Sequence, residues 1–152
     1  MKLRYLLAAA PALAIAACRT VSTNASLMDP SLHLTKTCPA AIKLYTTPDR
    51  VEQPYREVAL LNSVGQTSYS SESDLIKSMR EKAAKVGANG IILDRIDEPS
   101  AMAKIAGQVA QIGADAAGAI TMISAERKGS AMAIYVPSDS TRTNSACAQV
   151  KK

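Results

Sequence analysis

The stretch from Ser71 to Ile96 constrains the fold most, because it holds a helix signalled at both ends and, a few residues later, a strand. Ser71 is placed to cap the helix, with Glu72 and Asp74 in the first turn, where the macrodipole favours anions. Leu75, Met79, Ala83 and Val86 recur at helical spacing with Ile76 beside them, which gives one apolar face. Lys77/Glu81 and Glu81/Lys85 are i,i+4 pairs on the other side, worth about 0.2–0.5 kcal/mol each. Gly87 is positioned for a left-handed C-cap, and Gly90 launches the apolar run Ile91-Ile92-Leu93. A one-faced helix feeding a strand needs a sheet to cover it.

Other strands are readable around this unit. Residues 41–45 alternate and stop near Pro48, as a short edge strand does, and residues 57–62 form an apolar run of strand length. Residues 120–126 and 130–136 have strand character, with Lys128-Gly129 between them. The pair reads either as a tight hairpin or as one long strand bulged at Gly129. Pro99-Ser100 then signals a second helix over 101–118, with an apolar stripe at Met102, Ile105, Val109 and Ile112. Small residues, Ala103, Ala106, Ala110, Ala114 and Gly118, line another face of it. That stripe either lets the first helix approach closely or meets a second copy or another protein. The fold class expected is α+β: a small, mostly antiparallel sheet of 3–5 strands with one packed helix (72–86) and a second, inserted helix (101–118). Phe and Trp are absent, so its core must rest on Ile, Leu, Val, Met and Ala.

The run EVALLNSVG, followed by SESDLIKSMREKAAKVGANGIILDRI and then GSAMAIYV, resembles a broad group of small bacterial α/β domains. The group includes the YbjQ-like proteins and the outer-membrane lipoprotein sensor of the Rcs envelope-stress relay. The shared pattern is a helix ending K-A-A-x-x-G-A-N-G (here Lys82 to Gly90), an apolar strand, and a final strand opened by G-x-A (Gly129 to Ala131). Ala83 and Ala84 permit close helix–sheet packing, Gly87 caps the helix, and Asn89-Gly90 makes the turn into the strand. The resemblance covers about half of the mature chain. It implies a small packed α/β domain and says little of function, because the matched residues are packing and turn residues.

The N-terminus fixes the compartment expected. Lys2 and Arg4 precede an apolar run and then Ile15-Ala16-Ala17-Cys18, an order that looks like a bacterial lipobox. It implies a diacylglycerol thioether on Cys18, cleavage before it, and N-acylation, a combination sufficient for stable anchoring. The apolar run is well short of the roughly 20 residues that a spanning helix needs. Arg19 stands where an aspartate would signal inner-membrane retention in enteric-type lipoproteins, so the expected location is the outer membrane, facing the periplasm. The organisation expected is a signal peptide (1–17), a lipidated Cys and polar tether (18–37), an α+β domain (38–137) and a polar C-terminal tail (138–152) tied by Cys147.

With Cys18 acylated, Cys38 and Cys147 remain, an even number in an oxidising compartment. A bridge between them would close a loop of roughly 110 residues, for which chain entropy gives about 4–5 kcal/mol. A redox pair or metal site is the alternative, but no CxxC spacing occurs and the single histidine, His33, lies in a polar stretch. The formal charge of +5 includes Lys2 and Arg4 of the signal, and no basic cluster with interleaved aromatics appears, so no nucleic-acid partner is expected. No phosphate loop, dinucleotide fingerprint, zincin or nucleophile-elbow motif is present, and neither a metal nor a cofactor is expected. Asp94 and Glu126 could form a carboxylate pair, although cross-strand charge pairing with Arg95 and Arg127 is the simpler reading. The chain is therefore expected to be a non-enzymatic interaction or envelope-sensing module. Its partners would be the membrane through the lipid, together with another envelope protein or a second copy. The alternative is a small-ligand or ion-binding lipoprotein that uses the charges at 94–98 and 126–128.

Overall fold

In a computed structural model, residues 21–66, 70–97 and 126–150 are described. They form strands β1 (Val21–Leu27), β2 (Lys43–Tyr45), β3 (Arg56–Gln66), β4 (Gly90–Asp97) and β5 (Glu126–Tyr135), and helices α1 (Glu72–Lys85) and α2 (Ser140–Val150). The five strands make one sheet in the order β1-β3-β5-β4-β2. All neighbours are antiparallel except β2 and β4, which run parallel. The architecture is α+β, as the sequence led us to expect.

Helix α1 forms as its sequence dictates. The Ser71 hydroxyl accepts from the Asp74 N–H, and the Asp74 carboxylate accepts from the Ser71 N–H at 2.8 Å, a reciprocal capping box. Gly87, at φ +82°, ends the helix in the left-handed region. Leu75, Met79, Ala83 and Ala84 are buried against one face of the sheet. That face alternates small and large residues: Ala59 on β3, and Ala131 and Ala133 on β5, are fully buried beside Leu61 and Ile91. The bulk is supplied by Leu61, Leu75, Met79 and Ile91, each worth about 1.5–3 kcal/mol when buried. Two large side chains from the helix and two from the sheet, with alanines between them, close this core without Phe or Trp.

Gly129 belongs to that packing and not to a turn. A Cβ there would come within 2.7 Å of the Met79 methyl group. β5 runs through it without a hairpin, and the irregularities lie elsewhere, at Asp94 on β4 and at Val58 on β3. The part of 120–136 before Glu126 lies outside the described residues, as does the helix expected over 101–118 with its stripe of Ala103, Ala106, Ala110, Ala114 and Gly118.

On the sheet's other face, Ile92, Ile134 and Val136 form a smaller cluster with Tyr45, Met132, Val51 and Tyr55, the last two from the segment joining β2 to β3. Asn89 fastens this region. It is almost fully buried; its side-chain amide donates to the Val136 carbonyl and its Oδ1 accepts from the Val136 N–H, both at 2.8 Å. Asn89 thus does more than turn the chain into β4.

Two stretches differ from the sequence reading. The supposed tether 18–37 contains β1, paired along its whole length with β3. Its inward side is carried by Val21, Thr23 and Ala25, too weakly apolar to register as an alternating strand. Thr23 instead joins a half-buried hydroxyl chain, with its Oγ1 2.9 Å from Ser63 Oγ and 2.7 Å from Ser78 Oγ, linking β1, β3 and α1. The supposed irregular tail contains α2, which lacks an apolar stripe because it buries only Thr143.

Candidate functional site: a cleft beside the disulfide

A concavity of about 950 Å3 lies between the segment 33–38 and α2. One wall is set by α1. The Thr37 N–H donates to the Ala84 carbonyl at 3.0 Å, and the Thr37 hydroxyl donates to the Ala88 carbonyl at 2.6 Å, so this segment is fastened to the end of α1 and to the turn after it. Leu34 lies over Gly87, where any Cβ would collide with it. Gly87 therefore serves twice, as the left-handed cap and as the seat of the cleft wall.

The opposite wall is α2, joined to the first by the Cys38–Cys147 disulfide, with an S–S distance of 2.08 Å and a Cα–Cα distance of 5.5 Å. The Cys38 N–H also donates to Cys147 Sγ at 3.1 Å. The bridge expected from the sequence is present and closes a separation of 109 residues. Beside it, Asp139 receives the Lys43 ammonium at 2.9 Å and the Arg142 guanidinium at 3.2 Å. The Lys43 hydrogen bond, reinforced by the Arg142 charge, holds the Asp139 carboxyl below the usual aspartate range. Arg142 also donates from Nη1 to the Ala41 carbonyl at 3.1 Å. Neither Asp139 nor Arg142 was singled out in the sequence, because nothing in a polar tail distinguishes an anchoring pair from solvated charge.

The cleft lining combines Thr35, Thr37, Ser140, Thr143 and Asn144 with Leu34, Ala148 and Val150, and adds His33, Lys36 and Tyr135. The Thr143 hydroxyl is already committed to the Asp139 carbonyl at 2.9 Å. Such a lining offers hydrogen bonds and apolar contact to an extended, mostly neutral ligand or peptide.

The other residues singled out in the sequence have structural placements. A Cβ on Gly90 would stand 3.0 Å from the Tyr45 ring and 3.1 Å from Ile134, so this glycine lets β2 and β5 close on β4. Asp94 and Glu126 do not form a carboxylate pair. Asp94 accepts from the Ser130 hydroxyl at 2.8 Å, and Glu126 lies 3.5 Å from Lys128. Arg95 pairs with Asp97 on its own strand at 3.7 Å, and Arg127 donates to the Ser70 carbonyl at 2.6 Å. Among the described residues, no three His, Cys, Asp or Glu side chains gather as a metal would require. Cys18 lies outside the described residues.

No family model matches this chain, and no curated protein matches it. Among solved structures it is similar to the Francisella virulence factor FvfA in its orthorhombic crystal form. The TM-score is 0.48 at 15% identity, over 74% of this chain and 96% of that one. A likeness at that level bears on neither ligand nor partner.

Proposed function

We propose that the chain is a lipid-anchored envelope protein, held through Cys18 in the outer membrane and facing the periplasm, which acts as a non-enzymatic interaction or sensing module. The lipobox and Arg19 support this reading. No helix among the described residues is long and apolar enough to cross a membrane. The observation that carries the binding role is the cleft, whose two walls are joined covalently by Cys38–Cys147 and lined by alcohols, amide and aliphatic groups suited to a polypeptide segment.

Photo-crosslinking in intact cells tests the module. A crosslinker at Asn144, inside the cleft, is expected to trap discrete protein adducts, and one at Asp49, away from it, none. If Asn144 captures nothing while the lipid-free domain shows ligand-dependent melting shifts, the small-ligand alternative replaces this reading. For the anchor, Cys18→Ser is expected to release the protein from membranes, and unchanged fractionation would count against lipidation.

A further inference from the structure

We infer that the domain stands end-on at the bilayer, with the Val21 end of its sheet against the lipid headgroups and the cleft at the opposite end. The inference rests on acylation of Cys18. It follows from where β1 begins. Only Arg19 and Thr20 separate Cys18 from Val21, the first residue of a strand paired along its length. Three extended residues reach at most about 10 Å. The headgroup layer of one leaflet is itself roughly 5–8 Å thick, and the acylated sulfur sits at its inner margin. Val21 can therefore stand no more than a few ångströms beyond the headgroups, and whatever the fold places beside it is held equally close.

The strand register says what that is. Val21 pairs with Gly65, Gly65 with Arg127, Gln66 with Glu126, and Lys128 with Asp97. The start of β1, the end of β3, the start of β5 and the end of β4 thus share one end. Ser70, against which a Cβ on Gly65 would collide, brings the first turn of α1 to the same place. The groups displayed there are Gln66, the ion pairs Glu126–Lys128 and Arg95–Asp97 and a single exposed aliphatic side chain, Val64, while Leu27 and Met28 lie at the far end of β1. A rim of paired charges fits contact with hydrated phosphate and amine headgroups and does not fit insertion among acyl chains. Eleven residues of β3 at about 3.3 Å each set the opposite end roughly 35 Å from the lipid. Tyr135, paired with Arg56 at that end, lines the cleft.

The test uses the acylated protein, purified from membranes and reconstituted in phosphatidylethanolamine/phosphatidylglycerol vesicles that carry a headgroup acceptor dye. A donor fluorophore is installed through a keto amino acid at Gln66 or at Gln53, which leaves all three cysteines intact. Energy transfer is expected to be several-fold stronger from Gln66. A flexible Gly/Ser insert of about 20 residues after Thr20 is expected to abolish the contrast. Equal transfer from the two positions, stronger transfer from Gln53, or a contrast that survives the insert would each overturn the orientation while leaving the anchor standing. If the wild-type protein does not float with the vesicles, the anchor reading fails and the orientation fails with it.

Discussion

Helix α1 meets the sheet through four buried side chains, Leu75, Met79, Ala83 and Ala84, whereas α2 buries Thr143 alone and is fastened by a disulfide and by Arg142. The first is held by area removed from water, the second by a covalent bond and a few polar contacts. A helix of the first kind must carry its attachment as a periodic apolar face. One of the second kind can have almost any sequence, provided a cysteine falls at the right place.

Four perturbations would sharpen or break this contrast. Replacing both bridge cysteines, Cys38→Ser with Cys147→Ser, is expected to cost about 4–5 kcal/mol of global stability through loop-closure entropy. Protection in α1 should fall by that global amount, whereas amides across 141–150 should exchange at nearly unprotected rates under native conditions; protection in α2 that matches α1 would show that α2 is part of the cooperative core. Met79→Ala is expected to cost about 2–5 kcal/mol in denaturant melts, because it leaves a cavity over Gly129. A cost below 1 kcal/mol would mean that α1 is not seated by packing. Asn89→Ala strips the Val136 N–H and carbonyl of their buried partner and should cost about 1–3 kcal/mol, with β2 and the end of β5 exchanging fastest.

The smallest effect concerns Asp139. As a partly exposed ion pair it should contribute no more than about 1 kcal/mol to docking of α2, lost in Asp139→Asn. Its carboxyl titrates lower folded than unfolded, because Lys43 and Arg142 favour the charged form. The contribution is therefore complete above the ordinary aspartate value near 4 and disappears as pH falls through the lowered folded value. Melting curves of the parent and the variant should converge in strong acid and separate toward neutrality; a constant separation would remove Asp139 from the account.

What was legible follows the same division. The Ser71 cap, the Leu75/Met79/Ala83 face, Gly87 and the strand after Gly90 are all visible in sequence, because local backbone chemistry and burial select those residues. The bridge was legible from cysteine arithmetic alone. β1 escaped because its inward residues include Thr23, whose partners are Ser63 and Ser78 hydroxyls. Its strand identity therefore depends on β3 and α1 and not on its own pattern. Gly129 was visible as a glycine, but its reason, the Met79 methyl group, lies 50 positions away in the chain. The cleft could not be read at all, since Thr37 and Leu34 acquire their roles only by lying against the end of α1.

The bridge from Cys38 to Cys147 makes a closed circle of the chain between them, and among the described elements β1 alone lies wholly outside it. Tension applied at the start of the chain is therefore borne first by the hydrogen bonds of a single peripheral strand, while the encircled elements are joined by a bond that such a pull does not break. Peeling β1 would bare the edge of β3 and the hydroxyls of Ser63 and Ser78, leaving the ring intact to re-form the pairing when the load is removed.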